Sequence, residues 1–168
     1  MPLNIIKKYN QLLDLVSLHE QSRTASLKGI FNRDFVNNSN LNFRCRKINP
    51  TPQDGVITMD TLFSHLTTVI VDKKTRSREF DIHRAERLHW VKFHINESLP
   101  DKILVFSVDE PEGARTYIYD KAEKYVVVLE PLRKKNEYYL LTAYHVKGKD
   151  AQRGKFEKKY KRKLDEIL

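Results

Sequence analysis

Cysteine is nearly absent from this chain of 168 residues, which limits its covalent chemistry and the compartments that suit it. Cys45 is the single cysteine, so an internal disulfide is excluded and a cysteine-based zinc site is disfavoured. No apolar run approaches the ~20 residues that cross a bilayer, and the first residues do not form a secretory signal. These absences favour a cytoplasmic protein without a membrane partner.

Glycines and grouped metal ligands are also missing where several enzyme classes need them. Five glycines form no phosphate-binding loop, which argues against an enzyme acting on nucleoside triphosphates. His83, His89 and His94 are six and five residues apart, so no pair has the i, i+4 spacing of a helical zinc site. The carboxylates are scattered among cations, unlike those of a two-metal nuclease. The sequence therefore predicts no cofactor and no metal site.

Positive charge is what the chain has in excess. It carries 31 Lys and Arg against 22 Asp and Glu, for a net charge of +9. Residues 147–168 contain nine of the cations and four of the acids, and so hold +5 of that surplus. A surplus of this size favours a polyanionic partner such as RNA, although a basic helix face can also be merely solvated.

The spacing of apolar residues predicts an α+β fold. Helical spacing is found in residues 3–35, and a further helix is expected over 82–96 with Asp81 as its N-cap. From residue 103 the period becomes two, which predicts strands at 103–108, 115–119, 125–129 and 138–146 before a basic helix at about 150–168. The short connections favour antiparallel neighbours, and so a four-stranded antiparallel meander.

The same pattern suggests two parts. Residues 81–168 hold the expected α+β core with its C-terminal basic helix, whereas residues 1–80 form an N-terminal helical extension, either integral or accessory. Within the extension, 43–48 and 67–71 have strand character and 60–65 has helical character. Residues 73–78 are interpreted as a basic connector.

Histidine, arginine, tyrosine and threonine remain as candidates for catalysis. His83 and Arg87 share one face of the predicted helix, and Arg115 and Tyr117 share one face of their strand. Thr142 and Tyr144 share a face of the last strand, with His145 next to them; tyrosines in strands also serve packing alone. This set suits metal-free RNA cleavage, in which the 2′-hydroxyl attacks the adjacent phosphate and the protein supplies a proton acceptor, a proton donor and cations.

Three segments carry a family resemblance: His83 to Val91, Arg115 to Tyr119, and Tyr139 to Tyr144 before the lysine-rich helix. They resemble phage-associated nucleases of the barnase–EndoU–colicin–RelE superfamily. The resemblance implies a compact antiparallel sheet with flanking helices and a metal-independent ribonuclease site on the sheet. It also implies a phage, mobile-element or toxin protein that acts in the cytoplasm, in some cases that of a host cell, and it leaves open a neutralising protein partner. The positions that match are Arg84, Arg87, Arg115, Thr142 and Tyr144.

The leading expectation is an endoribonuclease. His83 or His145 would be the general base or acid, and the phosphate would be stabilised by Arg87 and Arg115. Thr142 and Tyr144 would orient it or donate a proton. The expected RNA-binding residues are Arg84, Tyr117, Lys147, Lys149, Arg153, Lys155, Lys158, Lys159 and Arg162. The alternatives are a non-catalytic RNA-binding module and a protein-interaction factor.

Overall fold

The computed structural model describes residue 4 and residues 7–38, 40–56, 58–97 and 100–168. Its helices are α1 (Glu20–Phe31), α2 (Met59–Thr67), α3 (Ile82–Ala85), α4 (Trp90–Ile95), α5 (Gly148–Gln152) and α6 (Lys155–Lys161). Its strands are β1 (Asn42–Phe43), β2 (Arg46–Pro50), β3 (Thr68–Ile70), β4 (Arg78–Phe80), β5 (Ile103–Glu110), β6 (Gly113–Asp120), β7 (Tyr125–Leu132) and β8 (Glu137–His145). A π-helix over Asn32–Val36 continues α1, and a 3-10 turn over Pro100–Lys102 precedes β5.

Six strands form one mixed sheet that curls into a half-barrel, in the order β1-β2-β8-β7-β6-β5. Strands β5 to β8 are antiparallel neighbours, but β2 joins β8 in parallel, with Ile48 opposite Tyr138 and Pro50 opposite Leu140. The predicted four-stranded antiparallel meander of barnase or RelE type is therefore wrong. Periodicity reports local spacing only, whereas this pairing joins residues about 90 positions apart.

A second, two-stranded sheet flanks the segment interpreted as a basic connector. Strands β3 and β4 pair antiparallel, with Thr68 opposite Phe80 and Ile70 opposite Arg78. Residues 73–77 connect the two strands, and the connector prediction was wrong only at Arg78, which belongs to β4. Arg78 donates from Nε to the Thr68 hydroxyl at 2.7 Å and from Nη2 to the Thr68 carbonyl oxygen at 3.0 Å, which fixes the base of this hairpin.

The predicted helices are shorter than expected. The helix over 82–96 is divided into α3 and α4 by a turn in which Leu88 N–H bonds the Ala85 carbonyl oxygen at 3.1 Å. The C-terminal helix is divided into α5 and α6 at Gly154, whose φ of 58° is left-handed. In the N-terminal region the helix begins only after His19, whose side chain caps it. Within the described ranges no helix is long and apolar enough to span a bilayer.

Each face of the six-stranded sheet has its own apolar core. The inner core joins both halves of the chain, because Phe31, Phe43 and Leu62 pack in one cluster with Trp90 and Ile118. The outer core is smaller and lies under α6; its buried members are Phe106, Val108, Tyr117, Tyr119, Val126, Val128, Val146 and Phe156. The outer face of the sheet is therefore only partly covered.

A buried polar network ties the N-terminal segment to the inner core. Tyr9 donates its hydroxyl hydrogen to Asp120, whose other carboxylate oxygen accepts from Glu123 N–H at 3.0 Å. Asp120 and His94 are both fully buried, 3.2 Å apart between Oδ2 and Nε2, and His94 Nδ1 lies 2.7 Å from the Trp90 carbonyl oxygen. Both ring nitrogens of His94 thus face an oxygen atom within hydrogen-bond distance.

The segment after α6 runs around the β5 edge from the outer to the inner face. Leu164 N–H bonds the Ser107 carbonyl oxygen at 2.8 Å, and Leu168 N–H bonds the Ser107 hydroxyl at 2.9 Å. The Leu168 carbonyl oxygen accepts from the hydroxyls of Thr116 and Tyr138. These contacts hold residues 162–168 against the sheet in an extended, non-helical course.

Candidate active site

The histidine cleft is a small depression of about 160 Å³ beside the end of β8. The residues around it are Val69, Asp81, His83, Arg84, Tyr144, His145, Lys147 and Asp150. They come from β3, from the start of α3, from the last residues of β8 and from the start of α5. Since β2 pairs only with residues 138–140 of β8, the later part of this strand is free to carry the cleft.

Asp81 sets the geometry of α3 as the predicted N-cap. Its carboxylate accepts from Arg84 N–H at 3.1 Å, which confirms the prediction. Asp150, the other carboxylate in the cleft, is paired with Lys155 at 3.0 Å. Among the described residues neither Arg84 nor Lys147 has an ion-pair partner, so the cleft has room for an added anion.

Arg84 is mostly buried and joins three elements. Its Nη1 donates to the His65 carbonyl oxygen at 2.9 Å and to the Thr142 hydroxyl at 3.1 Å, and its guanidinium lies 5.4 Å from the centre of the Tyr144 ring. Its Nε is buried and has no hydrogen-bond partner in the described part of the chain. Burial lowers the pKa of Arg84, although nearby Asp81 opposes the shift. An arginine remains a cation after such a shift.

Burial and neighbouring cations favour the neutral form of His145. Burial is the largest cause that lowers its pKa, and Arg87, His83 and Lys147 add to it. Its Nδ1 is buried without a hydrogen-bond partner among the described residues. A neutral imidazole can accept a proton near pH 7.

His83 is the more accessible of the two histidines. Its side chain is 54% exposed, and its Nδ1 lies 3.5 Å from a carboxylate oxygen of Glu86. A histidine on the solvent side of a cleft can exchange protons with water and with a ligand.

The outer groove is a second depression, of about 350 Å³, on the outer face of the sheet. Its floor follows the strand register, in which Tyr117 is opposite Val128 and Val128 is opposite Thr142. Its walls come from the β5–β6 turn and from α6; the predicted residues that line it are Arg115, Tyr117, Thr142, Tyr144, Lys155 and Lys159. It meets the histidine cleft at Tyr144, which lines both.

Carboxylates neutralise most cations of the outer groove. Lys159 is paired with Glu110, which also accepts from the Tyr117 hydroxyl at 2.9 Å. Arg115 Nη1 is 3.8 Å from Glu130 Oε2. Tyr117 is only 5% exposed and its ring packs on Phe106 and Phe156. The groove is thus less available to phosphates and bases than the residue types alone suggested.

Arg87 lies in neither depression. Its side chain is 11% exposed, and its Nη1 donates to a Glu86 carboxylate oxygen and to the His83 carbonyl oxygen, both at 2.7 Å. Helix α3 ends between His83 and Arg87, but both side chains approach the same carboxylate oxygen of Glu86. Both also act through space on His145, whose pKa they help to lower.

The structure thus separates the predicted site residues into three groups. His83, Arg84, Tyr144, His145 and Lys147 meet in the histidine cleft, and the six residues named above line the outer groove. The remaining predicted RNA-binding cations, Lys149, Arg153, Lys158 and Arg162, are exposed on α5, α6 and the turns that follow them. Each predicted role stays a prediction.

Sequence reasoning missed the acidic partners in these depressions. Glu86, Glu110 and Glu130 each approach a predicted cation, and no local pattern around them indicates such a role. In the described part of the chain, no group of three histidine, cysteine or acidic side chains is placed to hold a metal ion. Comparisons of the chain with protein-family models, with curated proteins and with solved structures found no match.

Proposed function

We propose that this protein is an endoribonuclease and that the histidine cleft is its active site. The observation that carries the proposal is the position of His145, which lines one cleft with His83, a mostly buried arginine and an exposed lysine. A base, a cation for the phosphate and a second histidine within one cleft are the groups that RNA cleavage by its own 2′-hydroxyl needs.

Each residue of the histidine cleft has its own role in the proposed reaction. His145 Nε2 takes the proton from the 2′-hydroxyl, whose oxygen attacks the adjacent phosphorus. His83 gives a proton to the departing 5′-oxygen, so the products carry a 2′,3′-cyclic phosphate and a 5′-hydroxyl. Arg84 and Lys147 stabilise the negative charge that accumulates on the phosphate, and Tyr144 orients it from the cleft wall. Arg87 is a positioning residue that acts through His83 and His145.

The resemblance to the barnase–EndoU–colicin–RelE nucleases belongs to the same proposal. It rests on the three segments His83 to Val91, Arg115 to Tyr119 and Tyr139 to Tyr144, and only its chemistry is proposed, because the antiparallel sheet that it implied is wrong. A cytoplasmic site of action with RNA as the partner is part of the proposal.

The test is incubation of the protein with mixed cellular RNA in EDTA, followed by analysis of the new ends. We expect 2′,3′-cyclic phosphate ends, and a fall in rate of about 100-fold or more in His145→Asn and in His83→Asn, since general acid–base catalysis contributes about 10² to 10⁴. His19→Asn is the matched control, because His19 is exposed and asparagine also serves as an N-cap for α1. Full activity in both cleft variants would overturn the assignment.

One observation favours a second candidate, a non-catalytic RNA-binding module. His145 Nδ1 has no acceptor among the described residues, whereas a catalytic histidine is usually oriented by a partner at that nitrogen. In this case RNA would be retained by the protein in a gel-shift assay and would stay intact after long incubation. Cyclic phosphate ends that disappear in His145→Asn would exclude it.

A further inference from the structure

We propose that the β3–β4 hairpin is an RNA-binding arm that grips the sugar–phosphate backbone beyond the histidine cleft. The inference rests on the proposed function, because it assigns a second contact to the RNA that enters the cleft. The arm is defined as residues 68–80, and its tip as residues 72–77.

The tip of the arm presents three cations that carboxylates do not neutralise. Lys73, Lys74 and Arg76 are exposed, and none of them has an ion-pair partner within the described ranges. Asp72 is the acid nearest in sequence, but it accepts from Lys74 N–H at 2.8 Å and from Thr75 N–H at 3.4 Å. Its carboxylate therefore shapes the turn and leaves the cation side chains open to phosphates.

The arm is also placed beside the cleft. Val69 of β3 is one of the residues that line the histidine cleft, and Asp81, directly after β4, is another. Lys74 follows Val69 by five positions, so the tip lies within roughly 17 Å of the cleft wall. An RNA strand of several nucleotides with one phosphate in the cleft can therefore reach the tip.

The base of the arm is rigid enough to direct the tip. The two hydrogen bonds from Arg78 to Thr68 lock the strands together, and Val71 N–H bonds the Ser77 carbonyl oxygen at 3.0 Å. Arg23 lies over the Phe80 ring at 4.4 Å and so connects the arm to α1. An arm fixed in this way loses less conformational entropy on binding than a loose basic loop would.

The surface chemistry favours RNA over an acidic protein. Ile70 and Val71, which directly precede the tip, are exposed apolar residues at 44% and 52% exposure, whereas Phe80 lies at the base of the arm under Arg23. Phosphate contacts from lysine and arginine combined with apolar and aromatic surface for bases are typical of single-stranded RNA binding.

The arm is tested with a triple variant, Lys73→Gln, Lys74→Gln and Arg76→Gln. The matched control is Arg133→Gln, Lys134→Gln and Lys135→Gln, which removes the same three charges from the exposed β7–β8 turn. That turn lies about 30 Å from His145 along β8. Binding is measured by fluorescence anisotropy over a range of KCl concentrations, with 3-mer and 20-mer RNA carrying 2′-O-methyl groups so that no cleavage follows. Polyglutamate is measured in parallel.

The arm variant should bind the 20-mer about tenfold or more weakly, and the slope of log affinity against log salt should fall by about 2, as expected for three lost single-strand phosphate contacts. The affinity of the arm variant for the 3-mer should stay within twofold of the wild-type value. The control variant should bind both oligonucleotides within twofold of the wild type. Equal losses of affinity for the 20-mer in the two variants would overturn the assignment of the arm. So would an arm variant that loses affinity for polyglutamate but not for RNA.

Failure of the arm and failure of the proposed function give different results. If the wild type cleaves unmodified RNA and the arm variant binds the 20-mer as the wild type does, only the arm is wrong. If the wild type leaves RNA intact but the arm variant shows the expected loss of affinity, the arm stands and the nuclease does not. A wild type that neither binds nor cleaves RNA overturns both.

Discussion

At the scale of single residues, Arg84 connects the histidine cleft with the outer groove. Its guanidinium contacts Thr142 of the outer groove and the Tyr144 ring, which lines both depressions. The group is largely withdrawn from water and is bonded to neutral oxygens rather than to a carboxylate. A buried cation of this kind stabilises a phosphate more strongly than an exposed one, because water screens it less.

The first prediction concerns the pH dependence of cleavage. His145 must be neutral to act as a base, and its pKa is lowered mainly by burial and further by Arg87. The acid limb of the rate profile should therefore lie below about pH 6.5, the ordinary histidine value. In Arg87→Gln the loss of a nearby cation favours protonation, so the limb should move to higher pH in single-turnover measurements. Arg133→Gln serves as the control, and a limb that stays in place would contradict the assignment of His145.

The second prediction concerns the buried pair of Asp120 and His94. Burial raises the pKa of Asp120, but the hydrogen bonds from His94 and Tyr9 outweigh it and hold the pKa below its usual value. Asp120→Asn should lower the free energy of unfolding by about 3–5 kcal/mol at pH 7, the cost of breaking a buried pair on one side. Urea denaturation measures it, with Asp109→Asn on the exposed part of β5 as the control.

The same variant should also change acid unfolding. A carboxylate with a depressed pKa adds stability that is fully present above the unfolded-state pKa, about 3.9, and lost as pH falls through the lower folded-state pKa. The difference in free energy of unfolding between the wild type and Asp120→Asn should therefore become small at the acid end of that range. A difference in free energy of unfolding that stays the same from pH 7 down to pH 2 would contradict this role for Asp120.

At the scale of elements, the segment after α6 depends on buried hydroxyls of β5 and β6. Ser107 and Thr116 are fully buried opposite each other, with their hydroxyl oxygens 2.8 Å apart, and both bond to Leu168. Buried polar groups of this kind are costly when one partner is removed. The hydroxyl pair therefore acts as the anchor of residues 162–168.

The third prediction follows from that anchor. Thr116→Val keeps the shape of the side chain but removes one of the hydroxyl donors to the Leu168 carbonyl oxygen. This loss should lower the free energy of unfolding by about 1–3 kcal/mol. Limited proteolysis should then cut more rapidly within residues 162–168. Thr116→Ser keeps the hydroxyl and should leave the cleavage rate of that segment near the wild-type rate. Equal protection in all three proteins would show that the segment is held by apolar contacts instead.

At the scale of the whole molecule, the charge surplus is distributed unevenly. Cations of the outer groove are neutralised by Glu110 and Glu130, whereas those of the hairpin tip and much of the C-terminal region are exposed without such partners. The cations that stay available are therefore those of the hairpin tip and the C-terminal region rather than those of the outer groove. Exposed cations attract RNA without regard to its sequence.

The fourth prediction is a strong dependence of RNA affinity on salt. If six to ten phosphates are contacted, affinity should fall by about 10³ to 10⁵ between 50 and 200 mM salt, to a smaller degree for a single strand. Anisotropy titrations with a 20-mer RNA measure this slope. A peptide nucleic acid of the same base sequence has no phosphates and should show almost no salt dependence. A flat slope for the RNA would contradict a role for the exposed cations.

Several features of this protein were determined by its sequence alone. The short apolar runs 103–108 and 125–129 and the alternating residues 115–119 are sufficient to locate strands β5 to β7, because a short strand is recognised from its own residues. Asp81 could be identified as an N-cap because that bond is formed three residues away. The net charge of +9 is likewise independent of the fold.

Tertiary structure alone decided which of these residues meet and which cations stay available. Arg84 and Thr142 are 58 positions apart in the sequence, and the paired residues of β2 and β8 are farther apart in the sequence than that. No local period can therefore reveal either contact. Tyr117 had the composition of a binding residue but became part of a core, and Lys159 found Glu110 across the outer groove. Periodicity describes neighbours along one element, whereas burial and ion pairing depend on neighbours that only the folded chain brings together.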